Sequence, residues 1–175
     1  MRFVKESRIA ASPEVVFAFY ESPGAFQRLA PPWERVEVID GGDSLKPGSR
    51  VVLSVPLGPL RLRWIAEHTE YEQGRLFADR QLEGPFSCWY HRHLFLDDGQ
   101  GGTLLRDEVE YEPPLGMLGR LLAGNLLESK LRRMFDYRHE ITRRILETGY
   151  VSHPMPNHPV AASTAAQDFP RDGGT

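Results

Sequence analysis

His91 and His93 stand two residues apart in "FSCWYHRHLF", the stretch from Phe86 to Phe95. Alternate residues of a strand share a face, so Trp89, His91, His93 and Phe95 line one side. Phe86, Cys88, Tyr90, Arg92 and Leu94 fall on the other. Two imidazoles framed by aromatic rings can ligate a metal, move protons, floor a binding cavity or hold a buried hydrogen bond. Which of these they do depends on the groups brought opposite them.

The next turn supplies partners. "DDGQGG" at 97–102 marks a hairpin, and keeping inward residues opposite inward ones makes paired positions sum to an even number, about 198 to 200. His91 or His93 then faces Asp107, and Trp89 lies near Val109 or Tyr111. A carboxylate opposite an imidazole fixes its tautomer and favours its protonated form. On the preceding strand Phe77, Asp79 and Gln81 share a face, and one strand earlier Trp64 is followed by His68. The candidate ligand-binding wall is therefore Trp64, His68, Asp79, Gln81, Trp89, His91, His93, Asp107 and Tyr111, with His91, His93 and Asp107 as candidate catalytic residues. Aromatic bodies with a few convergent polar groups suit a small-molecule pocket. A His–Asp pair that only holds sheet register remains the alternative.

Other chemistries find less support. Asp97 follows His93 by four residues, similar to the first metal motif of cupins, but the only later histidine in an ordered segment is His139, within a helix. That leaves a transition-metal set incomplete, so no metal and no cofactor are expected. "GGDSLKPGSR" lacks the spacing of a phosphate-binding loop, and no helix follows it. Cys88 points away from the histidine face and has no helix N-terminus to activate it.

The 175 residues carry a net charge of −3, with 41% hydrophobic and 26% charged residues. That balance is globular, leaves nucleic acid without an electrostatic case, and is long enough for one core. A single cysteine fits a reducing compartment. No signal-like segment and no apolar run of roughly 18 residues occur, so the expectation is a cytoplasmic protein without a membrane span.

The elements that must position these residues follow from periodicity. Arg2–Ala10 alternates as a first strand. Ser12 and Pro13 open one short helix and Ser22 and Pro23 a second, which Pro31 and Pro32 stop. Strands are expected at 33–39, 50–55, 60–71, 75–82, 86–96 and 103–111. Beyond "EPPLG" the period becomes 3.6: Leu127, Leu131, Met134, Ile141 and Ile145 form the apolar stripe of a long helix. Gly119 and Gly124 suggest a kink or a short separate helix at its start. The segment 149–175, rich in Pro, Ala, Ser and Gly, reads as a disordered tail.

This order, together with "GPF..W.H.H.F" at 84–95 and "D.V.Y..P.G" at 107–116, resembles the START-like or Bet v 1-like superfamily, also called SRPBCC, over residues 1–148. The resemblance implies an α+β helix-grip fold: an antiparallel seven-stranded sheet around a long C-terminal helix, with two short helices after the first strand. It implies a hydrophobic or amphipathic ligand, such as a lipid or polyketide, held between sheet and helix. It leaves open a polyketide cyclase/dehydratase-type enzyme and a non-catalytic regulatory or interaction module. A homodimer is compatible with each.

Overall fold

A computed structural model describes residues 1–149, Asp43 excepted. Strands β1 (Arg2–Ile9), β2 (Glu37–Gly41), β3 (Arg50–Leu57), β4 (Leu60–Glu72), β5 (Leu76–Glu83), β6 (Cys88–Asp97) and β7 (Thr103–Glu112) form one sheet in the order β1-β7-β6-β5-β4-β3-β2. Every neighbouring pair is antiparallel. Helices α1 (Pro13–Glu21) and α2 (Ala25–Leu29) follow β1, and α3 (Gly116–Thr148) follows β7. The α+β helix-grip architecture is as the periodicities and the resemblance imply. The expected tail lies outside the described residues, except for Gly149, which ends α3 with a left-handed φ of 65°.

Two expectations need correcting. Trp33 does not begin β2. The chain turns after Pro31, β2 starts at Glu37, and the Trp33 ring instead packs edge-on against Tyr137 of α3. Nor is α3 interrupted at Gly119 or Gly124. One helix of 33 residues, about 50 Å long by its rise per residue, runs through both. Gly119 is there for closeness rather than for a break: a Cβ would sit 2.0 Å from the Pro114 carbonyl oxygen.

The covered face of the sheet holds two apolar clusters. In one, Ile9, Val16, Phe17, Tyr20, Leu29, Phe77, Phe95, Leu105 and Ile141 pack together under α1 and α2. In the other, Phe3, Trp89, Val109, Tyr111, Leu131 and Phe135 pack with the half-buried Trp64, Phe86, Leu127 and Met134 beneath α3. Between them runs a layer of buried histidine and aspartate.

Candidate functional site

The β6–β7 register sets His93 opposite Asp107, His91 opposite Val109 and Trp89 opposite Tyr111. On the other side, β5 sets Asp79 opposite His91 and Phe77 opposite His93. Because alternation keeps all of these on one face, three adjacent strands bring two imidazoles and two carboxylates together. The fourth strand adds His68, which is paired with Asp79 in the β4–β5 register.

Asp107 is the hub. It is 1% exposed and touches three imidazoles. Its Oδ1 lies 2.9 Å from His91 Nε2, and its Oδ2 lies 2.6 Å from His139 Nε2. His93 Nδ1 is 2.6 Å from Oδ1 but off the axis of a hydrogen bond, so that contact is electrostatic. Asp79 Oδ2 closes the cluster, 3.5 Å from His91 Nδ1 and 3.9 Å from His93 Nε2. The two imidazole centroids are 3.9 Å apart.

Those distances split the titration of the rings. Burial penalises a charged His91, but hydrogen bonds and charge from Asp107 and Asp79 outweigh it and push its pKa up to about 9. Burial, reinforced by the charge on His91, drives His93 down to about 4 despite the same carboxylates. The pair therefore shares one proton, and it sits on His91. Burial opposes ionisation of Asp107, yet the imidazoles around it hold its carboxyl well below the usual range. Asp79 is lowered too, its burial overcome by His91 first. Burial lowers His68 against the pull of Asp79.

The remaining sequence candidates divide. Trp64, Trp89 and Tyr111 form an aromatic end, Trp64 standing edge-on to Trp89 at 5.2 Å, and Phe86 joins them. Expected on the opposite face by strand alternation, Phe86 lies in the turn before β6, where alternation does not hold, and packs inward. Trp64 Nε1 is buried without a hydrogen-bond partner among the described residues. His68 stands apart, its Nδ1 3.3 Å from Ser49 Oγ and its ring near Phe77. Gln81 spends both ends of its amide on the β5–β6 turn: its Nε2 donates to the Phe86 carbonyl at 2.7 Å and its Oε1 accepts from the Phe86 N–H at 3.3 Å. It braces the turn. Asp97, weighed as a metal ligand, is at the far end of β6, where it accepts from the Gly99 N–H.

Sequence reasoning missed His139 and Thr142. Both are buried, His139 on Asp107 and Thr142 within 3.2 Å of the Tyr20 hydroxyl. Their signal was spacing: Leu131, Phe135, His139 and Thr142 recur every three or four residues, the stripe that faces the sheet. His139 Nδ1 has no hydrogen-bond partner among the described residues. A cleft of about 750 Å³ between β1 and α3, lined by Lys5, Arg8, Trp33, Arg133 and Tyr137 among others, reaches His139 from outside. None of the nine residues singled out from the sequence lines it.

The family described as polyketide cyclase / dehydrase and lipid transport matches residues 9–135. The chain belongs to this family. No curated protein matches it. Among solved structures, a nucleoside-diphosphate sugar epimerase from Corynebacterium glutamicum is 27% identical with a TM-score of 0.64. The likeness covers 83% of this chain but 29% of that longer one. A START superfamily protein from Mycobacterium smegmatis is 14% identical over 85% of this chain and 99% of its own, TM-score 0.61. Norcoclaurine synthase from Thalictrum flavum, solved with dopamine and hydroxybenzaldehyde, is 16% identical over 85% of this chain and 87% of its own, TM-score 0.62. The last two establish the shared fold. Among the described residues, no helix of this family member is long and apolar enough to cross a membrane.

Proposed function

We propose that this chain binds a hydrophobic or amphipathic small molecule carrying an oxygen function, between the sheet and α3. The observation that carries this reading is a polar cluster buried between two aromatic clusters, with polar atoms on both sides of it lacking hydrogen-bond partners among the described residues. Trp64 Nε1 is a donor left over at the aromatic end, and His139 Nδ1 is left over under the helix. Since His139 Nε2 donates to Asp107, its Nδ1 is free to accept from a ligand hydroxyl or amine. Buried polar atoms are costly unless paired, and a ligand's oxygen functions would pair them. Apolar area from Trp64, Trp89, Phe86 and Tyr111 would supply the affinity.

Native mass spectrometry of freshly purified protein tests this directly. An organic adduct that leaves on denaturation is the expected result, together with saturable quenching of tryptophan fluorescence by long-chain fatty acids or polycyclic phenols. A bare mass and no response to either class would sink the reading.

A second reading draws on the titration of the cluster. Two imidazoles with centroids 3.9 Å apart and held in opposite protonation states, His91 charged and His93 neutral, supply an acid and a base side by side. A cyclase/dehydratase-type enzyme could use them on one bound carbonyl compound. It requires that His91→Ala abolish product formation while ligand affinity stays within about tenfold, or about 1.4 kcal/mol. Loss of affinity without any product in the wild type returns the protein to the binding class.

A further inference from the structure

Asp79, His91 and His93 each aim one atom at a common point. His91 Nδ1 and His93 Nε2 lie 3.5 and 3.9 Å from Asp79 Oδ2, and the three atoms fall within 4.8 Å of one another. The opposite nitrogen of each ring faces Asp107 Oδ1, at 2.9 Å from His91 and 2.6 Å from His93. We propose that Asp79, His91 and His93 form a mononuclear site for a first-row divalent cation, with Asp107 as the carboxylate behind both imidazoles that sets their orientation.

Several features of the geometry converge on that assignment. Donors around a tetrahedral zinc ion with bonds near 2.0–2.1 Å are about 3.3 Å apart, so each nitrogen must close on Asp79 by a few tenths of an ångström and the two nitrogens on each other by up to about 1.5 Å, movements that ring and carboxylate rotations supply. The donors sit on rigid scaffolding: His91 and His93 are alternate residues of β6, and Asp79 is directly opposite His91 on β5. A histidine that binds a metal ordinarily gives its other ring nitrogen to a carboxylate or carbonyl, and here one carboxylate lies against both. Asp107 is in turn anchored by His139 at 2.6 Å, which ties the site to α3.

Charge points the same way. The ion pairs of Asp79 and Asp107 among the described residues are all with imidazoles, none with lysine or arginine. One buried and one half-buried carboxylate, Asp107 and Asp79, facing neutral or singly charged rings leave room for a divalent ion to balance them. Two nitrogens and one carboxylate oxygen favour zinc, iron(II) or cobalt over calcium or magnesium. Three protein donors also leave a coordination position for water or a ligand oxygen. The carboxylate the sequence offered, Asp97, is not the one; the carboxylate comes from the neighbouring strand.

The test uses the full chain, stripped with a chelator and titrated with Co²⁺ alone while its visible d–d absorption is followed. One ion per chain is expected, displaced by Zn²⁺. Asp79→Asn, nearly isosteric, should weaken Co²⁺ binding by at least about 100-fold while the far-ultraviolet circular dichroism stays unchanged. X-ray absorption on the zinc-loaded wild type keeps the proposal testable should that variant misfold: its first shell should hold two imidazoles and oxygen, without sulfur. Absence of a Co²⁺ band overturns the proposal, as does binding that Asp79→Asn leaves intact, which would place the ion elsewhere, for example on His153 and His158. A first shell containing sulfur or lacking two imidazoles overturns it as well. Tryptophan quenching by fatty acid or phenol in the stripped protein is read separately, so failure of the metal site and failure of the ligand reading are distinguishable.

Discussion

The two ends of the covered sheet face use similar residues to opposite effect. Under α1 and α2, Phe17 is 1% exposed, Val16 and Leu105 are fully buried, and Phe17 meets Phe95, Phe77 and Tyr71 edge-on. Two buried hydroxyls there are paired: that of Tyr20 with Thr142 and that of Thr103 with the Ala11 carbonyl. Under the first half of α3 the aromatics are as many, but Trp64 is only half buried and its Nε1 has no hydrogen-bond partner among the described residues. Exposed leucines are found on the β3–β4 hairpin, Leu57 and Leu60, and on the first half of the helix, Leu121 and Leu126. The first end is a finished core. The second has the composition of a core but a half-buried Trp64 with one unsatisfied donor among the described residues, and that difference is why the proposed ligand is placed there.

The polar layer between the ends should be the most sensitive part of the molecule. Asp107→Asn removes a charge that three imidazoles share, leaving His91 charged and half unpaired. A loss of about 3–5 kcal/mol in urea unfolding is expected, the usual result of breaking a buried pair on one side. A loss under about 1 kcal/mol would mean that the layer is solvated rather than buried.

Substitutions at the two ends test the comparison itself. Phe17→Ala should cost about 3–5 kcal/mol of stability with ligand quenching unchanged once folding is restored at low temperature. Trp64→Ala should cost no more than about half as much stability yet weaken binding of the fatty-acid or phenol probe by about tenfold. If both variants lose stability equally and binding not at all, the second end is simply core.

The pH dependence of stability, measured on chelator-treated protein, should show two arms. His91 has a folded pKa raised to about 9, so its contribution is complete below its unfolded value near 6.5 and is lost as pH rises through 9. His93 has a folded pKa lowered to about 4; the unfolded chain takes up the proton first, so stability falls as pH drops from 6.5 toward 4. Each arm amounts to roughly 3 kcal/mol, giving a maximum near pH 6.5. Stability that is flat from pH 6.5 to 9 would show that His91 does not hold the shared proton.

The smallest effect belongs to the entry to α3. Leu115 adopts a left-handed φ of 66° and is 77% exposed, so it is strained without packing to compensate. Leu115→Gly should therefore stabilise the protein by about 0.5 kcal/mol, relief of strain exceeding the added freedom of the unfolded chain. Destabilisation by that substitution would mean that the Leu115 side chain closes the open end after all.

Much of the site was legible because strands write their faces into the sequence. Alternation along "WYHRHLF" placed Trp89, His91, His93 and Phe95 together, and the even-sum rule across the hairpin put Asp107 opposite His91 or His93, of which the structure selects His93. Alternation on the preceding strand grouped Asp79 with Phe77 and Gln81, and the structure sets Asp79 opposite His91. What alternation could not say was how far each side chain would be committed elsewhere. Gln81 was on the right face, but its amide is consumed by the turn it helps to make. Trp33 was in the right composition for a strand, but it lies in a turn and packs on a helix more than a hundred residues away.

Local periodicity, written in side-chain type and spacing, by itself determined the strand faces, the parity of the hairpin register and the amphipathic stripe of the last helix. Tertiary structure alone decided that His139 reaches Asp107, that Asp79 rather than Asp97 joins the two histidines, and that an outer cleft runs to the same cluster. Those relations depend on how a 33-residue helix is docked and rotated against the sheet, and on which strand lies beside β6. Both are set by packing between residues far apart in the chain, which no period of 2 or 3.6 encodes.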